Sequence, residues 1–167
     1  MKKVILLVLI VAGGWWYFIG GRKLSDDHVN GFYRDLEIAT LQRQPDAICA
    51  LLAPDFHSTG SVSTARNTQT VNQNKQQACD AYHDLYATWE KLGEKMGGML
   101  QLDSQYTIHS ISLSPDGKTA TVDVSSSLDV AGTLMHIRSR STDTLVRRNG
   151  KVLLLHSSGL GSVGAGS

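Results

Sequence analysis

Residues 111–124 read ISLSPDGKTATVDV. Apolar and polar side chains alternate on either side of Pro115-Asp116-Gly117-Lys118. Pro presets one turn torsion, and Gly accepts a positive φ at no steric cost. Two alternating runs joined by such a turn predict an antiparallel hairpin. The second run continues to Val130, with Ala120, Val122, Val124, Leu128 and Val130 on one face and Thr121, Asp123, Ser125 and Asp129 on the other. A strand with one buried face has this pattern. The first run starts near Gln105, and its apolar phase slips. Tyr106 and Ile108 share one face, while Ile111 and Leu113 share the other. A bulge near His109 or Ser110 explains the slip, and so does a strand covered on both faces.

Downstream, TLMHIRSRSTDTLVRR (133–148) predicts a third long strand. Asn149-Gly150 is the preferred pair for a two-residue hairpin, and KVLLLHSS returns as a last strand. The closing SSGLGSVGAGS is Gly/Ser-rich and reads as a mobile tail. Upstream the period changes to that of helices. Ser25 is a good N-cap, with Asp26 and Asp27 in the first turn, where the helix dipole favours negative charge. Val29, Phe32, Tyr33 and Leu36 follow at helical spacing. Pro45 and Asp46 open a short second helix, apolar through Ala47, Ile48, Leu51 and Leu52 and ended by Pro54. DFHSTGSVSTA (55–65) reads as a short strand or extended arm, and RNTQTVNQN (66–74) as a polar loop. Asn74 with Gln77 forms a capping-box pattern. It starts a third helix, whose stripe is Cys79, Tyr82, Leu85, Tyr86, Trp89, Leu92 and Met96; Gly97 and Gly98 stop it. Helices followed by an antiparallel meander predict an α+β domain, with helices on one side of a curved sheet.

The chain begins MKKVILLVLIVAGGWWYFIGGRK, uncharged from Val4 to Gly21. An apolar run of about 17–25 residues can span a bilayer as a helix. Trp15, Trp16 and Tyr17 suit the membrane–water boundary and occupy the place where a small-residue cleavage site would lie. A retained signal anchor is therefore expected over 1–23, with a cleaved signal as the alternative. Cys49 and Cys79 are the two cysteines. An even count in an exported domain predicts a disulfide between them; two buried free thiols are the other reading. These features place the domain in a bacterial periplasm, held to the inner membrane by a single pass. Four of the 16 basic residues and none of the 15 acidic ones lie in the first 23 positions, leaving 12 against 15 in the remainder. A slightly acidic domain lacks the electrostatic footprint of a nucleic-acid binder. The expected organisation is an anchor (1–23), one folded domain (24–157) and a tail (158–167).

The order helix, short helix, LLAPDF (51–56), arm, amphipathic helix, ISLSPDGKTATVDV and LVRRNGKVLLLHSS (145–158) resembles the nuclear-transport-factor-2-like superfamily, also called SnoaL-like. The resemblance covers most of residues 26–157. It implies a cone, with about three helices packed on a bent, mainly antiparallel sheet and often a pocket inside. Superfamily members include isomerases, dehydratases, ligand binders and non-catalytic interaction modules, so fold leaves function open.

Motif reading finds no Gly-rich phosphate loop, G-x-S-x-G or C-x-x-C. The six histidines include no H-x-x-x-H or H-x-H pair. His109, His136 and His156 fall on three predicted strands and would need a favourable register to converge on a metal. No metal or other cofactor is expected. The steroid isomerases of the superfamily use a carboxylate base, with a Tyr and a protonated Asp as oxyanion donors. Asp103, Asp123 and Asp129 do not match that set. Asp123 and Asp129 oppose the apolar phase and read as solvated. Pocket candidates are Tyr33 from the first helix, Tyr82, Tyr86 and Trp89 from the third, and His136 and Arg138 from a strand. His136, Arg138 and Arg140 share one strand face, suited to an anionic ligand or acidic partner. The leading expectation is a non-catalytic interaction module of a bacterial envelope assembly, with a protein partner or a second copy bound. The alternative is a binder of a small hydrophobic or anionic molecule, or a cofactor-independent isomerase or hydrolase using the cone.

Overall fold

The computed structural model describes residues 23–98, 100–132 and 135–165. The expected anchor lies outside them, apart from Lys23. No helix among the described residues is long and apolar enough to cross a membrane. The element order is α1 (Asp26–Leu41), α2 (Pro45–Ala50), β1 (Leu52–Ser63), β2 (Thr68–Asn74), α3 (Lys75–Lys95), β3 (Leu102–Leu113), β4 (Thr119–Val130), β5 (Met135–Arg148) and β6 (Lys151–Ala165). The strands form one curved, unclosed sheet in the order β2-β1-β6-β5-β4-β3. β1 and β6 run parallel, and every other neighbouring pair is antiparallel.

Local chemistry explains the boundaries. The Ser25 side chain caps α1 by accepting from the His28 N–H. Asn74 and Gln77 form a reciprocal capping box at the start of α3. Asn149 and Gly150 both take positive φ (53° and 80°), as the tight β5–β6 turn requires. The phase slip in β3 is a bulge: the β3–β4 register shifts between Ile108 and Ser110. Cys49 and Cys79 are disulfide-bonded with a Cα–Cα separation of 5.6 Å, joining α2 to α3.

Three segments differ from expectation. The second helix stops at Ala50 rather than at Pro54, and Leu52, Ala53 and Pro54 open β1. TQTVNQN is strand β2 rather than loop, paired antiparallel with β1 at the sheet edge. Its polarity reflects exposure on both faces, which removes the apolar alternation of a half-buried strand. The supposed tail is also strand. β6 continues through Ala165, with β5 on one side and β1 on the other through Ser162. Those two neighbours supply the hydrogen bonds, and glycine supplies the room. A Cβ on Gly60 would stand 2.0 Å from the Gly159 carbonyl oxygen, and one on Gly159 would stand 2.5 Å from that of Arg140.

The core lies between the helices and one face of the sheet. One cluster joins Val29, Phe32 and Tyr33 of α1 to Ala120, Val122 and Val124 of β4 and Leu145 of β5. A second joins Ala39, Ile48, Tyr86, Trp89, Leu100 and Val130 near the far end of α1.

Candidate functional site

Register assigns every strand residue to a face. Asp143 is paired with Val122 and Ser157 and meets Tyr33 of α1, so Ile137, Ser139, Ser141, Asp143 and Leu145 face the helices. His136, Arg138 and Arg140 have the opposite parity and face away. His136 bonds the Asp129 carboxylate beside it on β4. The expectation that His136 and Arg138 line the cone is therefore corrected. Both stand on the open face, because alternation puts them opposite Leu145. Asp123 is on this face too, accepting from Thr142 (2.8 Å) and Ser110 (3.1 Å), which hold its carboxyl below the usual carboxylate range. His109, on the same side, contacts the Ser125 hydroxyl at 2.7 Å. His156 instead stacks on His57, with ring centroids 4.2 Å apart. Among the described residues, no group of three or more His, Cys, Asp or Glu is placed to hold a metal ion.

The helix side holds a polar cluster that sequence reasoning missed in part. Asp143 is 5% exposed, and among the described residues it is the one buried carboxylate. The Tyr33 hydroxyl donates to Oδ2 at 2.8 Å, and the Ser157 hydroxyl donates to Oδ1 at 2.7 Å. Burial, and then the adjacent carboxylate, push the Tyr33 pKa far above the ordinary phenol range. Tyr106 stands against Tyr33 with centroids 5.8 Å apart. Burial also raises the Tyr82 and Tyr106 phenols, although both side chains keep some surface accessible. The signal for Asp143 was its phase: it shares parity with Ile137 and Leu145.

A separate cleft of about 1140 Å³ opens where the end of α1 meets α3. Tyr86 and Trp89 line it, packed edge to face with centroids 5.4 Å apart. The four aromatic candidates thus do not share one place: Tyr33 is bonded to Asp143 in the interior, Tyr86 and Trp89 line the cleft, and Tyr82 packs against the Tyr86–Trp89 cluster while feeling the Asp143 charge. The Tyr86 hydroxyl donates to the Thr40 carbonyl at 3.3 Å, and burial raises its pKa. Arg43, Gln42, Gln44 and Gln101 add polar groups to the cleft, and Glu90, Glu94 and His83 lie along α3. His83 pairs with Asp46 at 3.2 Å.

Comparison by sequence matches no family and no curated protein. Comparison by structure finds many similar folds. A nuclear-transport-factor-2-like protein of unknown function from Shewanella oneidensis aligns at a TM-score of 0.57 with 14% identity, over 82% of this chain and 99% of its own. ActVI-ORFA from Streptomyces coelicolor aligns at 0.56 with 13% identity, over 81% and 95%. A ketosteroid isomerase-like protein from Erwinia carotovora atroseptica aligns at 0.51 with 11% identity, over 81% and 94%. At these identities the likeness is one of fold. With helices on one face of a curved, unclosed sheet, this chain has the nuclear-transport-factor-2-like fold that its sequence resembled.

Proposed function

We infer that this domain is a non-catalytic interaction module, tethered by its N-terminal apolar run on the outer side of a bacterial inner membrane. The observation that carries the non-catalytic reading is the state of Asp143. Both of its oxygens already accept hydrogen bonds from the protein. Each carboxylate oxygen keeps a second lone pair, so what keeps Asp143 from acting as a general base is its burial, 5% exposed and out of hydrogen-bond reach of a substrate proton. Here the buried carboxylate holds α1 against β5 and β6 instead. The surface left for a partner or a second copy includes the open sheet face, where Arg138 and Arg140 are exposed and Leu160 is 68% exposed. The tether rests on the uncharged run from Val4 to Gly21.

A second reading has its own observation. Tyr33, Tyr82 and Tyr106 gather near Asp143, and a similar fold is described as ketosteroid isomerase-like. Rearranged around a ligand, that cluster would bind a small molecule. One experiment separates the readings. The full-length chain is expressed, its membranes are washed with alkaline carbonate, and the extracted protein is screened by thermal shift against small hydrophobic and anionic molecules. Retention in the membrane with no shift supports the module. A soluble mature chain removes the tether. A specific shift abolished by Asp143→Asn replaces the module with the binder.

A further inference from the structure

The point where the folded domain takes over from the apolar run is pinned to two turns. Leu24 is 6% exposed and belongs to the α1 core cluster. Its N–H donates to the Gly117 carbonyl in the β3–β4 turn at 2.7 Å. The Lys23 carbonyl accepts from Arg147 Nη1 at 2.9 Å, and Arg147 Nε donates to the Gly150 carbonyl in the β5–β6 turn at 3.4 Å. The two turns and the entry to α1 are thereby held together at one end of the domain. Arg22 alone separates Lys23 from Gly21, the end of the uncharged run. One residue spans at most about 3.6 Å. The headgroup layer is roughly 5–8 Å deep on each side of a bilayer. With the run in the membrane, as inferred above, Lys23 stays within that layer, and the turns bonded to it meet the headgroups.

We propose that this end of the domain docks on an anionic lipid surface, with Lys23, Lys118 and Lys151 as the contacts to headgroup phosphates. The proposal rests on the tether, and adds a second, electrostatic contact between domain and membrane. Charge supports it. Lys23, Lys118, Arg148 and Lys151 are exposed at this end, where Thr119 pairs with Val146 and Arg148 with Lys151. Four carboxylates share the end with them. Asp116 lies 3.7 Å from Lys118, and Asp55 accepts from Arg148. Asp26 and Asp27 sit in the first turn of α1, where the helix dipole offsets their charge. With Arg147 the cations still outnumber these carboxylates, whereas elsewhere after Lys23 acidic residues outnumber basic ones. Among the described residues, no carboxylate forms an ion pair with Lys23 or Lys151. The attraction of a Lys or Arg to an anionic surface falls off within a Debye length, so cations held this close to the bilayer lie in its range. Leu113, 40% exposed beside the β3–β4 turn, adds apolar surface at the same end.

The test uses the full-length chain in lipid nanodiscs, one set of phosphatidylcholine alone and one of phosphatidylcholine mixed with phosphatidylglycerol. Amide hydrogen exchange is read by mass spectrometry over 114–118, over 149–151 and over the β1–β2 turn at 64–67, which lies beyond the opposite end of β1. Exchange in the first two turns slows at least about threefold in the anionic discs, while the 64–67 turn is unchanged. About 0.5 M salt removes the difference. Lys118→Gln with Lys151→Gln reduces it by at least about half at an unchanged unfolding temperature. Lys91→Gln with Lys95→Gln, on α3, leaves it intact. Equal exchange in the two kinds of disc, or a difference left whole by the Lys118→Gln and Lys151→Gln pair, overturns the docking and leaves the tether standing. Slowing at 64–67 in place of the other two turns overturns it as well, because the domain would then rest on its opposite end. A chain that enters neither kind of disc removes the tether, and the docking with it.

Discussion

The two faces of the sheet are built from the same strands and obey opposite rules. On β5, Leu145 and Asp143 face the helices and are buried, while Arg138 and Arg140 face away and are exposed. On β4, Val122 and Val124 face inward, while Asp123 and Asp129 face outward. Inside, a buried carboxylate is held by donors from the protein itself, as at Asp143 with Tyr33 and Ser157. Outside, Ser, Thr, His and Asp make cross-strand pairs that water competes with, such as Asp123 with Thr142. The inner face therefore carries the stability, and the outer face is free to change in order to bind something.

The largest expected effect breaks the inner face. Leu145 is fully buried against the α1 cluster. Leu145→Ala should cost about 4 kcal/mol, through lost transfer free energy and the cavity left behind. Thr144→Ala, one residue away on the other face, should cost under about 0.5 kcal/mol. Urea unfolding of both variants measures the contrast. Similar losses would mean that the faces are not energetically distinct.

Second is the interior hydrogen bond. Tyr33→Phe leaves Asp143 with Ser157 as its remaining donor and should cost about 2 kcal/mol. It also has a pH signature. The folded Tyr33 pKa is raised above the unfolded value of ~10. Its contribution is therefore fully present below pH ~10 and is lost as pH rises toward the folded value. Above pH ~10 the unfolded chain binds fewer protons than the native one, so stability falls by up to about 1.4 kcal/mol per pH unit for each such phenol. Tyr33→Phe should flatten the alkaline slope by up to that amount, read from unfolding midpoints between pH 9 and 11. An unchanged slope would mean that the phenol is not protected by its burial.

What could be read in advance follows the same division. Elements with one buried face were legible, because burial imposes a period. The Ala120–Val130 alternation and the stripe through Tyr82, Tyr86 and Trp89 are examples. Turns were legible because Gly117, Asn149 and Gly150 meet a backbone demand that few residues satisfy. β2 was not, since neither of its faces is buried. The end of β6 was not, since Gly and Ser there answer to close neighbours rather than to solvent. Asp143 was legible only through parity, and a lone acid in an apolar phase is easily passed over. The cleft was less legible still. It depends on where α1 stops relative to α3, and Arg43 takes a left-handed torsion (φ 54°) in a helix ending that the sequence signals poorly without Gly.

A smaller effect tests the exposed rim. Arg148 donates to both Asp55 oxygens, at 2.6 and 3.0 Å, across the start of β1. That bond holds the Asp55 carboxyl below its ordinary pKa. The pair's contribution is present above the unfolded carboxylate value of ~3.9 and is lost as pH falls through the lower folded value. Both partners are well exposed, so solvent and salt discount it. Arg148→Ala should cost no more than about 1 kcal/mol at low ionic strength and less at 1 M salt. A larger, salt-insensitive loss would show that the rim behaves like the interior.

The smallest effect on stability carries the sharpest statement about function. His136→Ala with Arg138→Ala removes two side chains from the open face, together with the contact between His136 and Asp129. Both groups lie on the solvent side of β5, so the double variant should unfold within about 0.5 kcal/mol of the parent. If the open face binds a partner or a second copy, the same variant should weaken that association while the circular dichroism spectrum stays unchanged. Sedimentation velocity of the detergent-extracted chain reads self-association directly, and chemical cross-linking in intact membranes reads a partner. A variant that is destabilised by several kcal/mol would show that the face is already packed against something in the folded chain. A variant that keeps both its stability and all of its associations would leave the open face as a solvated wall.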